Sequence, residues 1–420
     1  MKRYVAAGLS ALLLCGMCAP AYAADTQTDT GEQSETEEQT GPVKLSFDTL
    51  EQTVRENNIT IKAYENTVKS AEETDVRDDF LFDSLELGSQ INGYQQQINE
   101  LERAIAELEG EGTEALRGSL EAQKEILQMQ LDAALAQYDN LDDDEDDAEE
   151  EQEKTVVSTQ REMQNAADQV CVNAEETYIS LQTMQYSLNE TDRSLAQLDR
   201  SIAAAEKQVA IGMAGPNTLK SLQSQRETLL ASRQALETRM ENLNNTLALQ
   251  CGYTLGTELE TEALPAVTQE QLDALDYEAD LKEALENSYS IWAQKDALES
   301  ASDDYANGVT DNLYAHDAAK IQLDAQTENV KASFREMYKD VQEKQAASAA
   351  ALANLEQAQK TFAVQQVQYD RGMISRMDYM NAQDTLTAAE ESAASAQIDL
   401  FTSYNTYQWA KRGVMSGAAQ

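Results

Sequence analysis

Histidine occurs once in 420 residues, at His316, and cysteine and proline four times each, while aromatic residues make up only 6%. One imidazole and a few well-separated thiols cannot assemble the nitrogen and sulfur ligands of a zinc or haem site. They also leave nucleophilic catalysis without its usual base. The chain therefore reads as a protein with no catalytic residues, metal or cofactor rather than as an enzyme. Positive charge is scarce as well, with 31 Lys and Arg against 76 Asp and Glu and a net charge of −45. A nucleic acid or an anionic bilayer surface has to be met by clustered Lys and Arg, so this balance excludes both. Beyond the first residues no stretch approaches the ~20 apolar residues that span a bilayer as a helix, and the mature chain is expected to have no transmembrane helix.

What is present begins with an export signal. Lys2 and Arg3 precede an apolar stretch from Val5 to Met17, and Ala21-Tyr22-Ala23 gives a small-x-small cleavage site, so residues 1–23 read as a signal peptide. Cys15 and Cys18 lie inside it, leaving Cys171 and Cys251. An exported chain can oxidise such a pair. They stand 42 and 38 residues from Met213, which lies in a turn, so an antiparallel hairpin brings them to about the same height. A Cys171–Cys251 disulfide is the expectation; the alternative is two small buried side chains.

Residues 24–43 are polar and acidic and have almost nothing to bury, which predicts a disordered tether. From Lys44 the pattern is helical. Pro42, Pro216 and Pro265 sit between segments, so no helix interior carries the missing N–H and ring clash of proline. Leu181, Leu188, Leu195, Ile202 and Val209 recur every seven residues up to a break at Gly212-Met213-Ala214-Gly215-Pro216, and Leu222, Leu229, Leu236 and Leu243 resume the spacing beyond it. That is a narrow apolar seam on each arm of an antiparallel hairpin. Leu355, Phe362 and Tyr369 lead to a second break at Gly372-Met373, and Tyr379, Leu386, Ala393 and Leu400 follow it.

The halves align twice, at Arg55–Ile61 with Leu285–Ile291 and at the two Gly-Met turns. Glu56 to Gly212 spans 156 positions and Glu286 to Gly372 only 86, so the first half carries about 70 extra residues. Within them Ile91, Tyr94, Ile98, Leu101, Ile105 and Leu108, then Gly110-Glu111-Gly112, then Leu120, Leu127, Leu131, Tyr138 and Leu141 predict a second coiled-coil hairpin. The acidic run from Asp142 to Glu151 reads as a solvated, self-repelling hinge, because it lacks the interleaved carboxylates and turning glycine of a calcium loop. The predicted fold is all-α: long antiparallel coiled-coil hairpins in two structural repeats, 44–265 and 266–416, with an extra hairpin inserted at about 85–153. Trp292 and Trp409 read as filler between helices and His316 as an exposed helix residue.

These residues resemble the TolC family of outer-membrane efflux ducts. The leading helices VRENNITIKAYENTVKSAEE and KEALENSYSIWAQKDALESA are similar to the family's Leu- and Ala-rich helix with its Glu-Asn-Asn element. The segment VQYDRGMISRMDYMNAQDTLTAAEESAASAQ resembles its Gly-x-x-x-x-x-Asp-x-x-x-Ala turn, and AIGMAGPNTLKSLQSQRETLLASRQ is a looser match. The resemblance implies a homotrimer whose protomers each contribute two related halves to a twelve-helix tunnel. It places Gly212, Met213, Gly372 and Met373 at tips that dock with a periplasmic-type adaptor (membrane fusion) protein of an inner-membrane pump. Asp378 falls where the family often carries an acid at the tunnel constriction; its first-half counterpart is Thr218, and Asn381 occupies a further position that can be acidic. The family inserts two membrane strands per half, but Tyr305–Asn312 suits a turn and the first half holds the coiled coil, so no transmembrane β-barrel is expected. The functional expectation is an exported duct of the cell envelope, outer membrane-associated or in the wall space. Its alternative is a secreted coiled-coil scaffold with no through-channel.

Overall fold

The structure, a computed structural model, describes residues 42–107, 114–213, 215–306 and 313–415. The expected signal peptide and nearly all of the expected tether lie outside the described residues, as do Gly110-Glu111-Gly112 and most of the expected turn at Tyr305–Asn312. The elements run β1 (Val43–Leu45), α1 (Phe47–Asn57), α2 (Ile59–Glu72), α3 (Arg77–Glu107), α4 (Glu114–Ala210), α5 (Pro216–Gln250), β2 (Leu259–Thr261), α6 (Gln269–Asp273), α7 (Tyr277–Asn287), α8 (Tyr289–Ala306), α9 (Leu313–Asp370) and α10 (Arg376–Lys411). The fold is helical as expected, with one addition. β1 and β2 pair in parallel with Val43 opposite Leu259, and the Tyr178 hydroxyl of α4 donates to the Glu262 carbonyl at 2.7 Å while lying 3.0 Å from that of Leu45. Three-residue strands carry little sequence pattern, which is why the pair escaped the reading.

Each leading helix is broken in two at the same place. Asn58 (φ −65°, ψ 126°) separates α1 from α2, and Ser288 (φ −62°, ψ 116°) separates α7 from α8. The extended ψ stops the first helix. The Asn58 side chain then starts the second by accepting from the amides of Thr60 at 2.8 Å and Ile61 at 3.2 Å, the ordinary capping geometry for Asn and Ser. The broken helices lean on the far ends of α5 and α10. There Asn58 Nδ2 donates to the Gln250 carbonyl at 2.7 Å and Asn287 Nδ2 reaches that of Lys411 at 3.5 Å.

The acidic run is not a hinge. It lies inside α4, which continues unbroken through 97 residues, so the inserted hairpin returns straight into the long helix with no boundary at 153. Like charges four apart cost only tenths of a kcal/mol per pair, and a helix already nucleated on both sides propagates at one hydrogen bond per residue. Arg77 pairs with Glu149, and Lys154 with Glu150 at 2.8 Å, offsetting part of the repulsion.

Among the long helices, α5 packs on α4, α4 on α10 and α10 on α9, whereas α5 and α9 form no packed seam with each other. The four make an open layer with α5 and α9 at its edges. Its thickest packing lies where α1 and α7 meet it. There Leu50, Val54, Tyr178 and Leu247 form one core, Phe334, Val341 and Tyr407 a second, and Ile179, Ile398 and Phe401 bridge α4 to α10. Phe47 sits edge-on to both Tyr178 (5.6 Å) and Phe401 (4.8 Å). No helix among the described residues is long and apolar enough to cross a membrane.

Candidate functional site

The two Gly-Met turns have the same construction. Gly212 (φ 75°) and Gly372 (φ 68°) sit in the left-handed region. Met213 N–H donates back to the Gln208 carbonyl and Met373 N–H to that of Gln368, both at 2.8 Å, while Gly212 and Gly372 bond to Val209 and Tyr369 at 3.0 and 2.8 Å. This paired return of amides to the last carbonyls is the glycine-dependent way to end a helix. Met213 and Met373 are 77% and 68% exposed, so they stand out from the turns rather than packing beneath them.

An ion-pair ladder that the sequence reading missed places both turns at one level. Arg200 pairs with Asp384, and Arg193 with Glu391 at 2.7 Å. Arg200 precedes Gly212 by 12 residues and Asp384 follows Gly372 by 12; for Arg193 and Glu391 the separations are 19 and 19. On the other side of α4, Asp199 holds Arg226 and Asp192 holds Arg233, each at 2.6 Å. Thus Asp192-Arg193 and Asp199-Arg200, seven apart, send each acid to α5 and each arginine to α10. The signal was present as a repeated Asp-Arg dipeptide in heptad register, but it marks a seam only once the partner helices are known. The Arg193 and Glu391 side chains are 22% and 19% exposed, and such a pair contributes up to about 1 kcal/mol. The ladder fixes register more than it stabilises.

Asp378 closes a helix cap. Its carboxylate accepts from Ser375 Oγ at 2.7 Å and from Ser375 N–H at 3.2 Å, while its own N–H donates to Ser375 Oγ at 3.1 Å, the reciprocal arrangement of a capping box. Thr218 occupies the matching place on α5, which starts from Gly215-Pro216 with no side-chain cap. Tyr369 stacks on Tyr379 at 4.5 Å, beside Phe362 at 5.7 Å, so the second turn is braced from within its hairpin.

Cys171 and Cys251 reach one core cluster, but as free, fully buried thiols instead of the expected disulfide. Burial pushes both up to about 12, so neither forms a reactive thiolate near neutral pH. Alkylation at pH 8 is expected to leave native mature protein unmodified and to label both thiols after unfolding without reductant. No labelling after unfolding would establish a disulfide.

Between the repeats lies a second network that the sequence did not reveal. The buried Glu175 carboxylate on α4 accepts from Asn405 Nδ2 and Trp409 Nε1 of α10, each at 2.6 Å. Burial raises its pKa, and these two donors offset that only in part. Tyr407 donates to Asp280 Oδ2 at 2.8 Å, and Lys411 Nζ lies 2.7 Å from Asp280 Oδ1. Arg412 stacks over Trp409 at 4.6 Å and reaches Glu51 at 3.0 Å. Burial pushes Glu51 up, but hydrogen bonds from Arg412 and Arg55 outweigh it and hold its pKa below the ordinary value. Each of these groups is engaged by another member of the network.

Neither a protein-family model nor a curated protein sequence matches the chain. Solved structures do. The outer-membrane channel OprN is 12% identical, with 87% of this chain and 89% of that one covered and a TM-score of 0.48. A membrane protein from Pseudomonas aeruginosa is 12% identical over 96% of this chain and 98% of its own, with a TM-score of 0.47. The MtrE outer membrane channel of Neisseria gonorrhoeae, in its open state, is 12% identical over 89% and 90%, with a TM-score of 0.41.

Proposed function

We propose that the protein is a duct protomer of the cell envelope, closing with two further copies around a water-filled axis and docking by its Gly-Met turns to an adaptor protein of an inner-membrane pump. The observation that carries this reading is the open layer. A four-helix bundle hides its apolar seams by packing its first and last helices together, and α5 and α9 form no such seam. Leu230 on α5 and Leu352, Val364 and Val367 on α9 remain exposed along these edges, where a neighbouring copy would cover them. Three such layers supply twelve helices, the number the sequence resemblance implies. The ladder levels the two turns, and Met213 and Met373 are suited to an adaptable contact with a partner's hairpin. The acidic composition suits a solvated lumen whose selectivity comes from aperture and charge.

Mass in solution and low-resolution imaging test the reading: a hollow three-fold particle supports it, and a solid monomeric or dimeric rod overturns it. With Met213→Glu and Met373→Glu together, the trimer mass is expected to persist while affinity for the adaptor falls at least tenfold. Unchanged capture would remove the turns from the docking surface.

A further inference from the structure

The inserted hairpin carries an apolar face that none of its own helices covers. Leu81, Phe82 and Leu85 on α3 are 56%, 72% and 66% exposed. Leu87, Ile91, Tyr94 and Ile98 follow the 4-3-4 spacing of the side of α3 that meets α4. Leu85 precedes Leu87 by two residues, about 200° around a helix, so the exposed three point to the opposite side.

The charge around them is of one sign. Arg77 pairs with Glu149, and Glu102 with Lys124 at 2.6 Å; these fix the antiparallel register and bring Phe82 level with Asp144, five residues on from each end of the first pair. No Lys or Arg occurs on α3 between 78 and 102 or on α4 between 125 and 153, while nine of the ten residues from 142 to 151 are acidic. Asp78, Asp79, Asp83 and Glu86 flank the apolar side chains directly. Arg77 and Lys154, the nearest cations in sequence, are already engaged by Glu149 and Glu150.

We propose that Leu81, Phe82 and Leu85 form a docking site for a cationic amphipathic helix of a partner protein. The apolar side chains seat its hydrophobic stripe, and the surrounding carboxylates select Lys and Arg on its flanks. A second copy of the same face would bring acid against acid within a screening length of about 8 Å, and an anionic lipid surface would meet the same repulsion. The proposal concerns the insertion alone and does not depend on the duct reading.

The test uses the mature full chain and a labelled 18-residue helical peptide of Leu and Lys with leucines at i, i+3, i+4 and i+7. Binding is followed by fluorescence anisotropy in 0.15 M salt. The combined substitutions Leu81→Ser, Phe82→Ser and Leu85→Ser are expected to weaken it at least tenfold, and Phe82→Ser alone at least threefold. Circular dichroism should be unchanged, because all three side chains are exposed. A scrambled peptide of the same composition is expected to bind more weakly and to be indifferent to the substitutions, and a Glu-for-Lys analogue not to bind. Equal binding to the substituted chain, comparable binding of the Glu analogue, or self-association of the wild-type chain abolished by the substitutions would each overturn the proposal. So would adsorption to phosphatidylglycerol vesicles through this face.

Discussion

Gly252→Ala and Gly413→Ala are expected to destabilise the protein by about 3 kcal/mol or more each, whereas Gly212→Ala and Gly372→Ala should cost only about 1–2 kcal/mol. All four glycines have positive φ, so all four pay the conformational penalty of an L side chain in that region. They differ in what surrounds them. A Cβ on Gly252 would lie 2.4 Å from the Asn57 carbonyl oxygen and one on Gly413 2.4 Å from that of Asn287, while nothing lies within 4 Å of the positions at Gly212 and Gly372. At Gly252 and Gly413 the obstruction is backbone, which cannot swing aside as a long side chain would. The break between α1 and α2, or between α7 and α8, would have to move off the end of α5 or α10. Urea melts of the four single variants check this, and a cost at Gly413 no greater than at Gly372 would refute the close-approach account.

Trp409→Ala is expected to cost about 3–5 kcal/mol, and Trp409→Phe about 1–3 kcal/mol. The indole is 4% exposed, and its removal opens a cavity in the seam between repeats and takes one of two donors from a buried carboxylate. Phenylalanine refills much of the space but not the hydrogen bond, so its cost isolates the lost donor to Glu175 and the difference between the variants reports the cavity. The pH dependence carries a definite sign. Glu175 has a raised pKa in the folded chain, so between its unfolded and folded values the native state binds more protons and stability falls as pH rises. Glu51 has a lowered pKa; its contribution is present above the ordinary carboxylate value and is lost as pH falls through the folded one. Glu175→Gln should therefore flatten the decline above the ordinary carboxylate range while leaving the acid limb, where Glu51 acts, in place. Thermal melts from pH 3 to 8 read both limbs, and an unchanged upper limb would exclude Glu175 as its source.

The repeat plan was legible because it rests on local pattern. Seven-residue spacing and Gly-Met breaks are consequences of helix periodicity and of the φ only glycine adopts freely, and both are written along the chain. Gly252 and Gly413 were legible in principle: they follow Gly212 and Gly372 by 40 and 41 residues, a third point of alignment between the halves. Their role was not, since what forbids a side chain there is a carbonyl about 126 or more residues away in sequence. The acidic run misled for a related reason. Its self-repulsion is real but small per residue, and the helix on either side decides whether the backbone continues.

Composition and periodicity determined, without coordinates, that this chain builds paired helical hairpins, since that property depends on which residues exist and how they repeat along one helix. Only the tertiary structure decided which helices are neighbours. It showed Asp192-Arg193 and Asp199-Arg200 dividing their charges between two helices, two thiols at one height that remain unbonded, a capping role for Asp378, and a layer that ends at α5 and α9 without closing. Such outcomes turn on contacts between segments far apart in the chain, where the identity of the partner, not the local pattern, sets the energy.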